Sequence, residues 1–425
     1  MQEEYDALIK NQTWELVTRD LSNTVVDCKW LYRIKRKANG SIDRFRALLV
    51  AKGFTQHTGL DFHETFSPIV KPATDRTKSG TSLFVWKHMA VTICVLVYVD
   101  DIIITGNHPK VIKFFINSLA ARFSLKDLGY LNYFLGVDIK HIPDGLILSQ
   151  SKYILDILSE LDMENYKGVY TPMCSIVPLR VVDGSPHTDV TRYRRTLGKL
   201  QYLSLTWPDI SYAVNKLSQF LHIPIDEHWK AVKRVLWYLK ETASLGLRII
   251  HSSDSNLYMY VDADWAANPN DRISTSGYIL FFGPNPVSWS LKKQCVVARS
   301  STEAEYKFVA NALAELTWVR NLLHKLHVTI SKTPTIYCDN VRVTYLSHNP
   351  VFHTRMKHVV VDFAYVRDQV QDHRVHVTHT HACDQLADTF TKPLPKSAFT
   401  RCRSKLGIIA PCVPRRGVLT ISVGC

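Results

Sequence analysis

The chain has 425 residues, 46% of them hydrophobic, which is enough for two or three domains with apolar cores. Lys and Arg number 52 against 38 Asp and Glu, and the resulting formal charge of +14 favours polyanionic partners, nucleic acid first. Nine scattered cysteines without a C-x-x-C pair argue against a disulfide framework and a zinc ribbon. The polar start and the charge-interrupted apolar runs predict no signal peptide and no segment that enters a membrane. We therefore expect an intracellular protein in a reducing compartment, cytoplasmic with the nucleus as a second option.

A basic hairpin is the first clear element, after an amphipathic helix and a strand predicted to end near Val25. Apolar and basic residues alternate from Lys29 to Lys37, Asn39-Gly40 supplies a type I′ turn, and the chain returns from Ser41 to Val50. Basic residues in such a hairpin usually form a solvated, charged strand edge. The alternative is that they bind the phosphates of a nucleic acid. The candidate nucleic-acid contacts in this region are Lys29, Lys35, Arg46 and Lys52.

Two adjacent carboxylates, Asp100 and Asp101, interrupt the apolar run from Val95 to Gly106. The flanking residues predict two buried strands that meet at a tight turn, where unpaired acids are costly unless a cation or protons neutralise them. Paired aspartates hold Mg²⁺ in phosphoryl-transfer enzymes, but Asp is also favoured in turns for geometric reasons alone. These residues by themselves leave both interpretations open.

The tetrad Tyr98-Val99-Asp100-Asp101 resembles the polymerase motif of copia-type reverse transcriptases. KWLYRIKRKANGSIDRFRALLVAKGFTQ and DFHETFSPIVKPATDRT resemble their fingers region. The resemblance implies that Asp100 and Asp101 are catalytic metal ligands, and that an RNA template and a DNA primer are partners. The family carries a third catalytic aspartate upstream, in a stretch that is missing here near residues 77–82, and Leu48 stands where an Arg is usual. Since two-metal chemistry needs carboxylates from more than one strand, we expect this half to be unable to polymerise.

The middle of the chain predicts a helix, a second hairpin, a linker and three further helices. The helix covers Val111–Phe123, and the hairpin turns at Pro143-Asp144-Gly145. The three helices are predicted over Tyr193–Leu205, Pro208–His222 and Asp226–Thr242, with Asp226 as a cap. YRRTLGKLQYLSLTWPDISYAVNKLSQF within them resembles the connection of copia-type Pol proteins.

Acids mark the ends of two later predicted strands. Asp262 ends the alternating LYMYVDADWA segment, and Asp339 follows the apolar TIYC segment. Carboxylates at strand ends project into one edge of a sheet, where α/β folds build sites. Asp264 lies two residues after Asp262 on the same strand face and is secondary.

Glu305 lies on a helix that Ser300-x-x-Glu303 opens as a capping box and that continues to about Leu326. It shares the apolar stripe of that helix with Val309, Ala312, Leu316, Val319 and Leu323. A buried acid needs a partner, and either a salt bridge or a metal ion could supply it. Since no basic residue occupies the same stripe nearby, we favour a metal ligand.

A fourth acid, Asp388, interrupts the apolar CDQLADTFTKPL segment, where a helix cap is the simplest explanation. Together, Asp262, Glu305, Asp339 and Asp388 resemble the Asp-Glu-Asp-Asp set of ribonuclease H. DRISTSGY, SWSLKKQ, ARSSTEAEY and LADTFTKPL match its copia-type form. The resemblance implies two Mg²⁺ ions, with Mn²⁺ as a substitute, that cut the RNA strand of an RNA/DNA hybrid. It offers as phosphate contacts Lys292, Lys293 and Arg299, for which solvated surface charge is the commoner role.

Two histidines and a cysteine alternate at His379, His381 and Cys383. A zinc site lacks an evident fourth ligand and is disfavoured. The ribonuclease H resemblance implies instead that His379 or His381 assists product release.

These features predict a mixed α/β and α+β chain. A truncated right-hand polymerase remnant (fingers and palm) covers residues 1–165, a linker and helical connection 166–250, a ribonuclease H-like mixed-sheet α/β domain 251–395, and a tail 396–425. The expected activity is hybrid degradation. The alternatives are a nucleic-acid-binding relic without catalysis and an unfolded product of a decayed element.

Overall fold

The structure, a computed structural model, describes residues 28–36, 42–51, 83–98, 101–123, 125, 127–174, 179–181, 184–268, 271–349 and 360–410. The helix and strand predicted before Val25, the Asp61–Thr77 segment, Asp100 and Lys52 lie outside these ranges. The chain divides into two compact units, Met1–Asp75 and Arg76–Cys425.

The first unit contains the basic hairpin, as the sequence predicts. Strands β1 (Cys28–Arg36) and β2 (Ile42–Ala51) pair antiparallel. The register places Arg33 opposite Arg46, so basic positions adjoin across the ribbon. The predicted turn at Asn39-Gly40 lies outside the described residues.

The second unit begins with a three-stranded antiparallel sheet of β3 (Leu83–His88), β4 (Val91–Tyr98) and β5 (Asp101–Gly106), followed by helix α1 (Pro109–Arg122). Tyr98 pairs with Asp101, and the predicted turn between them lies outside the described residues. The prediction that the two strands of Val95–Gly106 are buried is wrong: β5 has no buried residue and is exposed at both ends, and β4 is only half-buried from Val95 to Tyr98. Helix α1 has no buried residue and leaves the sheet largely open.

A second hairpin and the predicted helices come next. Strands β6 (Tyr133–Phe134), β7 (Val137–Ile142) and β8 (Gly145–Ser149) pair antiparallel and lead into helix α2 (Ser151–Glu160). The connection contains α3 (Val190–Leu203), a 3₁₀ turn (Pro208–Ile210), α4 (Ser211–Ser218) and α5 (Asp226–Thr242).

Two details of the predicted connection helices are wrong. The helix predicted to reach His222 ends at Ser218, after starting as a 3₁₀ turn. Asp226 does not cap α5 but is its first residue, and the N–H of Ile225 donates to Nδ1 of His228 instead (3.2 Å). The cap differs by one residue, which is common at helix ends, whereas the end of the second helix differs by four residues.

A mixed five-stranded sheet follows the short strand β9 (Gly246–Ile250). Its strands are β10 (Leu257–Asp264), β11 (Thr275–Phe282), β12 (Asn285–Lys293), β13 (Thr335–Cys338) and β14 (His376–His379). Their order is β12-β11-β10-β13-β14, antiparallel among the first three and parallel from β10 to β14. Its helices are α6 (Ser301–Lys325), α7 (Val341–His348) and α8 (Val360–Gln371). This is the ribonuclease H-like mixed sheet that the sequence predicts.

Both faces of this sheet are covered. On one face Met259 and Val261 pack with Val309 of α6 in one core. On the other face Ile279 and Phe281 belong to the core that the connection helices build. The alternation of β10 sends neighbouring residues into different cores, which ties the connection to the sheet.

The end of the described chain returns to the connection. It contains the short helix α9 (Asp388–Thr391), helix α10 (Lys396–Lys405) and strand β15 (Ile408–Ile409). Strand β15 pairs with β9 and completes the sheet β15-β9-β8-β7-β6. The predicted boundary at residue 395 therefore falls within a packed segment. Among the described helices, none has the length and apolarity to cross a membrane.

Candidate active site

Strand β10 places Asp262 in the interior, where the side chain is 8% exposed. Asp262 pairs with Gly277 of β11. A Cβ at Gly277 would lie 2.5 Å from Cβ of Phe390, so this glycine lets helix α9 approach the sheet closely. The approach brings the hydroxyl of Thr391 to Oδ2 of Asp262, to which it donates a hydrogen bond.

Asp339 and Asp388 reach the same place from other elements. Strand β13 lies parallel to β10, and Asp339 follows its last residue, so two carboxylates meet at one sheet edge, as predicted. Asp388 is the first residue of α9. One carboxylate oxygen from each of Asp262, Asp339 and Asp388 can be chosen so that all three lie within 4.8 Å of one another.

Glu305 approaches from helix α6, which begins where the sequence predicts. The hydroxyl of Ser300 accepts a hydrogen bond from the N–H of Glu303 (3.2 Å). Glu305 is 9% exposed and accepts hydrogen bonds from Sγ of Cys338 (3.2 Å) and Nδ2 of Asn340 (3.0 Å). No described Lys, Arg or His forms an ion pair with it, so the salt-bridge alternative finds no support in this part of the chain.

Asp339 links the two halves of the site. Potential ligand atoms of Glu305, Cys338 and Asp339 also lie within 4.8 Å of one another. Since Asp339 belongs to both groups, the four predicted acids form one continuous cluster.

Burial and mutual repulsion shift Glu305, Asp339 and Asp388 toward their neutral forms. Burial raises the pKa of Glu305 to about 7, opposed by its hydrogen bonds and reinforced by Asp339 and Asp262. Burial likewise raises the pKa of Asp388 to about 6 and that of Asp339 above its usual value. A cation in the cluster would restore the ionised forms.

The sequence analysis missed one cationic member of the cluster, Lys392. Its Nζ lies 2.8 Å from Oδ1 of Asp388 and 3.9 Å from Oδ2 of Asp262. Burial lowers the pKa of Lys392, but the carboxylates raise it by more, so it is raised overall. The four-residue spacing from Asp388 in a helical segment could have revealed this pair.

The donor set fits a divalent cation. Asp262, Asp339 and Asp388 supply oxygen atoms, the ligands that Mg²⁺ prefers, and an ammonium group already occupies their neighbourhood. Cys338 adds a sulfur atom beside Glu305, which suits softer metals better. The all-oxygen group is therefore the part of the cluster that best matches the predicted Mg²⁺.

Asp264 lies outside both ligand groups. Burial and the nearby Asp262 raise its pKa to about 6. It lines a small polar cavity with Lys216 and Asn268. Its secondary role stays a prediction.

Asp101, by contrast, is exposed at the start of β5 and belongs to neither ligand group of the described residues. Asp100 lies outside the described residues. The structure therefore brings the four later acids together, and among the residues it describes no comparable cluster surrounds Asp101.

The candidate basic contacts are spread over both units. Lys29 is exposed on β1, Lys35 lies in β1 and Arg46 in β2. In the second unit Lys292 and Arg299 are exposed. Lys293 differs from them because it forms an ion pair with Asp271.

The histidines lie at the edge of the acidic site. His379 ends β14 and is one of the groups that lower the pKa of Asp339, against the larger effect of burial. The ring centroids of His379 and His381 are 6.0 Å apart. Neither histidine, nor Cys383, belongs to the ligand groups found among the described residues.

A reverse transcriptase (RNA-dependent DNA polymerase) family model matches residues 11–77 and 73–175. The chain is 41% identical to the retrovirus-related Pol polyprotein from transposon RE1 of Arabidopsis thaliana, over 96% of this chain and 33% of that protein. It is 37% identical to a putative transposon Ty5-1 protein of Saccharomyces cerevisiae, over 53% of this chain and 74% of that protein. An N-terminal ribonuclease H domain from Mycobacterium tuberculosis is similar over 35% of this chain and 97% of that one, at 13% identity and a TM-score of 0.25.

Three features of these matches concern the extent of the chain. The alignment with the RE1 protein spans 489 residues, more than the 425 of this chain, so that relative has residues without a counterpart here. The two family-model segments meet at residues 73–77, beside the predicted gap. The chain spans about a third of the length of the Pol relatives that it matches. From the family model and these relatives, the chain belongs to the Pol polyproteins of copia-type retrotransposons.

Proposed function

We propose that this chain is a metal-dependent ribonuclease that cuts the RNA strand of an RNA/DNA hybrid. The observation that carries the proposal is the convergence of Asp262, Asp339 and Asp388 within 4.8 Å, with Asp339 linked to Glu305 at the same spacing. Family membership supports the same activity, in an intracellular setting.

The chain's own residues hold and orient the site. Thr391 orients the carboxylate of Asp262, and Asn340 orients that of Glu305. When bound to the four acids, two Mg²⁺ ions would activate a water molecule and stabilise the leaving oxygen. Exposed Lys292 and Arg299 are the candidate contacts to the sugar-phosphate backbone, which identifies a hybrid without reading its sequence.

We further propose that the polymerase half does not synthesise DNA. Asp101 is exposed and outside any described carboxylate cluster, and the family's third aspartate is absent from the sequence. In-line phosphoryl transfer requires metal ligands from more than one strand. Extension of a labelled DNA primer on an RNA template, with Mg²⁺ or Mn²⁺, should yield no product. Any extension that survives purification and is lost in Asp101→Asn would refute this part.

The decisive experiment measures cleavage of a labelled RNA strand, annealed to DNA, by the full chain with Mg²⁺. Wild type should cut the hybrid, whereas Glu305→Gln should lose at least about a thousandfold in rate, since a metal ligand is removed. Glu315→Gln, ten residues further along α6, is the matched control and should cut like wild type.

The outcomes separate this proposal from its rivals. Binding of the hybrid without cleavage by wild type would identify a nucleic-acid-binding relic. Equal cleavage by wild type and Glu305→Gln would point to a contaminating nuclease and remove the support for the four-acid site. Aggregation with early proteolysis in residues 1–165 would instead indicate a decayed product.

A further inference from the structure

The ammonium group of Lys392 lies beside Asp262 and Asp388, two of the three carboxylates that could hold a metal ion. It lies 2.8 Å from Oδ1 of Asp388 and 3.9 Å from Oδ2 of Asp262. We propose that Lys392 is a built-in cation that competes with the divalent metal for these carboxylates. The inference rests on the proposed function, because it concerns the same site.

The local backbone delivers this lysine to the cluster. Lys392 terminates the short helix that carries Asp388, and its N–H donates to the carbonyl oxygen of Asp388 (3.2 Å). The preceding residue, Thr391, holds Asp262. One segment of five residues therefore supplies an acid, a hydroxyl donor and a counter-charge to a single site.

Electrostatics explains why a cation is needed there. Three carboxylates whose oxygens lie within 4.8 Å of one another repel when ionised, and their partial burial strengthens the repulsion. The single charge of Lys392 offsets part of this repulsion and keeps the acids together when no metal is bound.

The same charge must be displaced when a divalent ion binds. The Lys392 side chain is 45% exposed, so it has room to swing into solvent without disturbing the core. Metal binding then breaks an ion pair that already exists, which lowers the affinity below what the carboxylates alone would give. Lys392 therefore lowers the metal affinity of the site, whereas a metal ligand raises it.

Direct metal binding to the full chain tests this without any measurement of activity. Mg²⁺ affinity would be measured by calorimetry, and Mn²⁺ affinity by electron paramagnetic resonance, for wild type and Lys392→Gln. The variant should bind either ion on the order of tenfold more tightly, and Lys392→Arg, which keeps the charge, should resemble wild type. Without metal, Lys392→Gln should melt at a lower temperature than wild type.

Lys405→Gln is the matched control. Lys405 is 44% exposed and forms an ion pair of similar length with Asp384 (3.0 Å), outside both ligand groups. Its substitution should leave the metal affinity unchanged. If Lys392→Gln proves too unstable to purify, Lys392→Met removes the charge but keeps the aliphatic chain.

Unchanged or weaker metal binding by the charge-removing variants would overturn the inference and leave the proposed function standing. Failure of both wild type and Lys392→Gln to bind Mg²⁺ or Mn²⁺ would overturn the two together. Tighter binding by the variant, with no change in Lys405→Gln, supports the competition.

Discussion

The hydroxyl of Thr391 donates a hydrogen bond to Oδ2 of Asp262, although the two residues are 129 positions apart in the chain. Both are buried, with Thr391 fully enclosed. Hydrogen bonds to charged groups contribute roughly 1.5–3 kcal/mol, and here the bond also fixes the direction of the carboxylate. The relationship joins the central strand of the sheet to the segment that carries Asp388.

Removal of this donor should impair the site without removing a metal ligand. Thr391→Val keeps the shape of the side chain but loses the hydroxyl, so hybrid cleavage should slow by about tenfold and stability should fall by roughly 1–3 kcal/mol. Thr391→Ser keeps the donor and should stay near wild type. Initial cleavage rates and urea denaturation would measure both effects, and equal rates for the valine and serine variants would contradict the assigned role.

The absence of a side chain at Gly277 leaves room for the helix whose Thr391 donates to Asp262. In Gly277→Ala the new Cβ would meet Cβ of Phe390 at 2.5 Å, so the helix that carries Asp388 must move, at a cost of roughly 1–3 kcal/mol. Gly198→Ala is the matched control, and it should change the free energy of unfolding in the opposite direction. Gly198 lies in α3 with open space around it, and alanine there should stabilise by about 0.5–1 kcal/mol. Chemical denaturation would show both shifts, and a neutral Gly277→Ala would refute the close-approach argument.

Glu305 should make the metal-free protein less stable as pH rises. Its pKa is about 7 in the folded chain and near 4.5 when unfolded, so the folded state holds the proton more firmly. Stability is then highest below pH 4.5, declines as pH rises to about 7, and loses up to about 3 kcal/mol from this group. Glu305→Gln should remove this part of the pH dependence and stabilise the metal-free chain at pH 8, while cleavage is lost.

Denaturation at pH 5 and pH 8, with a chelator present, would measure this effect. Asp388, whose pKa is also raised, contributes in the same direction, so some pH dependence should persist in the variant. A variant that is less stable than wild type at pH 8 would show that ionised Glu305 is satisfied by its hydrogen bonds alone.

The sequence allowed the four acids to be predicted because each interrupts a regular apolar pattern. The structure places Glu305 on the buried stripe of a capped helix and Asp339 directly after β13, as predicted, whereas Asp262 lies two residues before the end of β10. Their convergence required a register between β10 and β13 that no local pattern specifies. The four-residue spacing between Asp388 and Lys392 indicated an ion pair between these two residues. No local pattern indicated the second partner of Lys392, Asp262, because it is distant in sequence.

The features that sequence reasoning missed depend on long-range packing. The pairing of Ile408 with Leu247 joins parts of the chain whose local patterns do not show which strand they meet. The predicted burial around Asp101 failed for a related reason. Apolar residues indicate what a strand is suited to bury, but the described neighbours of β4 and β5 cover these strands only in part.

The C-terminal segment should be required for the stability of the second unit. A stop codon after Pro395 removes, besides Cys402, three large buried apolar side chains, Phe399, Leu406 and Ile408, and the strand that pairs with β9. Loss of one such side chain typically costs 2–5 kcal/mol, so three together approach the roughly 5–15 kcal/mol of a whole domain. The truncated chain should therefore aggregate or lose its cooperative melting transition.

The same truncation also removes a polar contact inside the connection. Nη1 of Arg403 lies 3.4 Å from the hydroxyl of Tyr238, which itself donates to the buried carboxylate of Asp209. Burial raises the pKa of Asp209 to about 6 even with Arg403 present, so loss of that positive charge should raise it further. A stop codon after Ala410 is the control, because it keeps Phe399, Leu406, Ile408 and the strand that pairs with β9. Circular dichroism melting and size-exclusion chromatography of both truncated chains would test whether residues 396–410 stabilise the second unit. Equal melting temperatures of the two chains would show that these residues are dispensable.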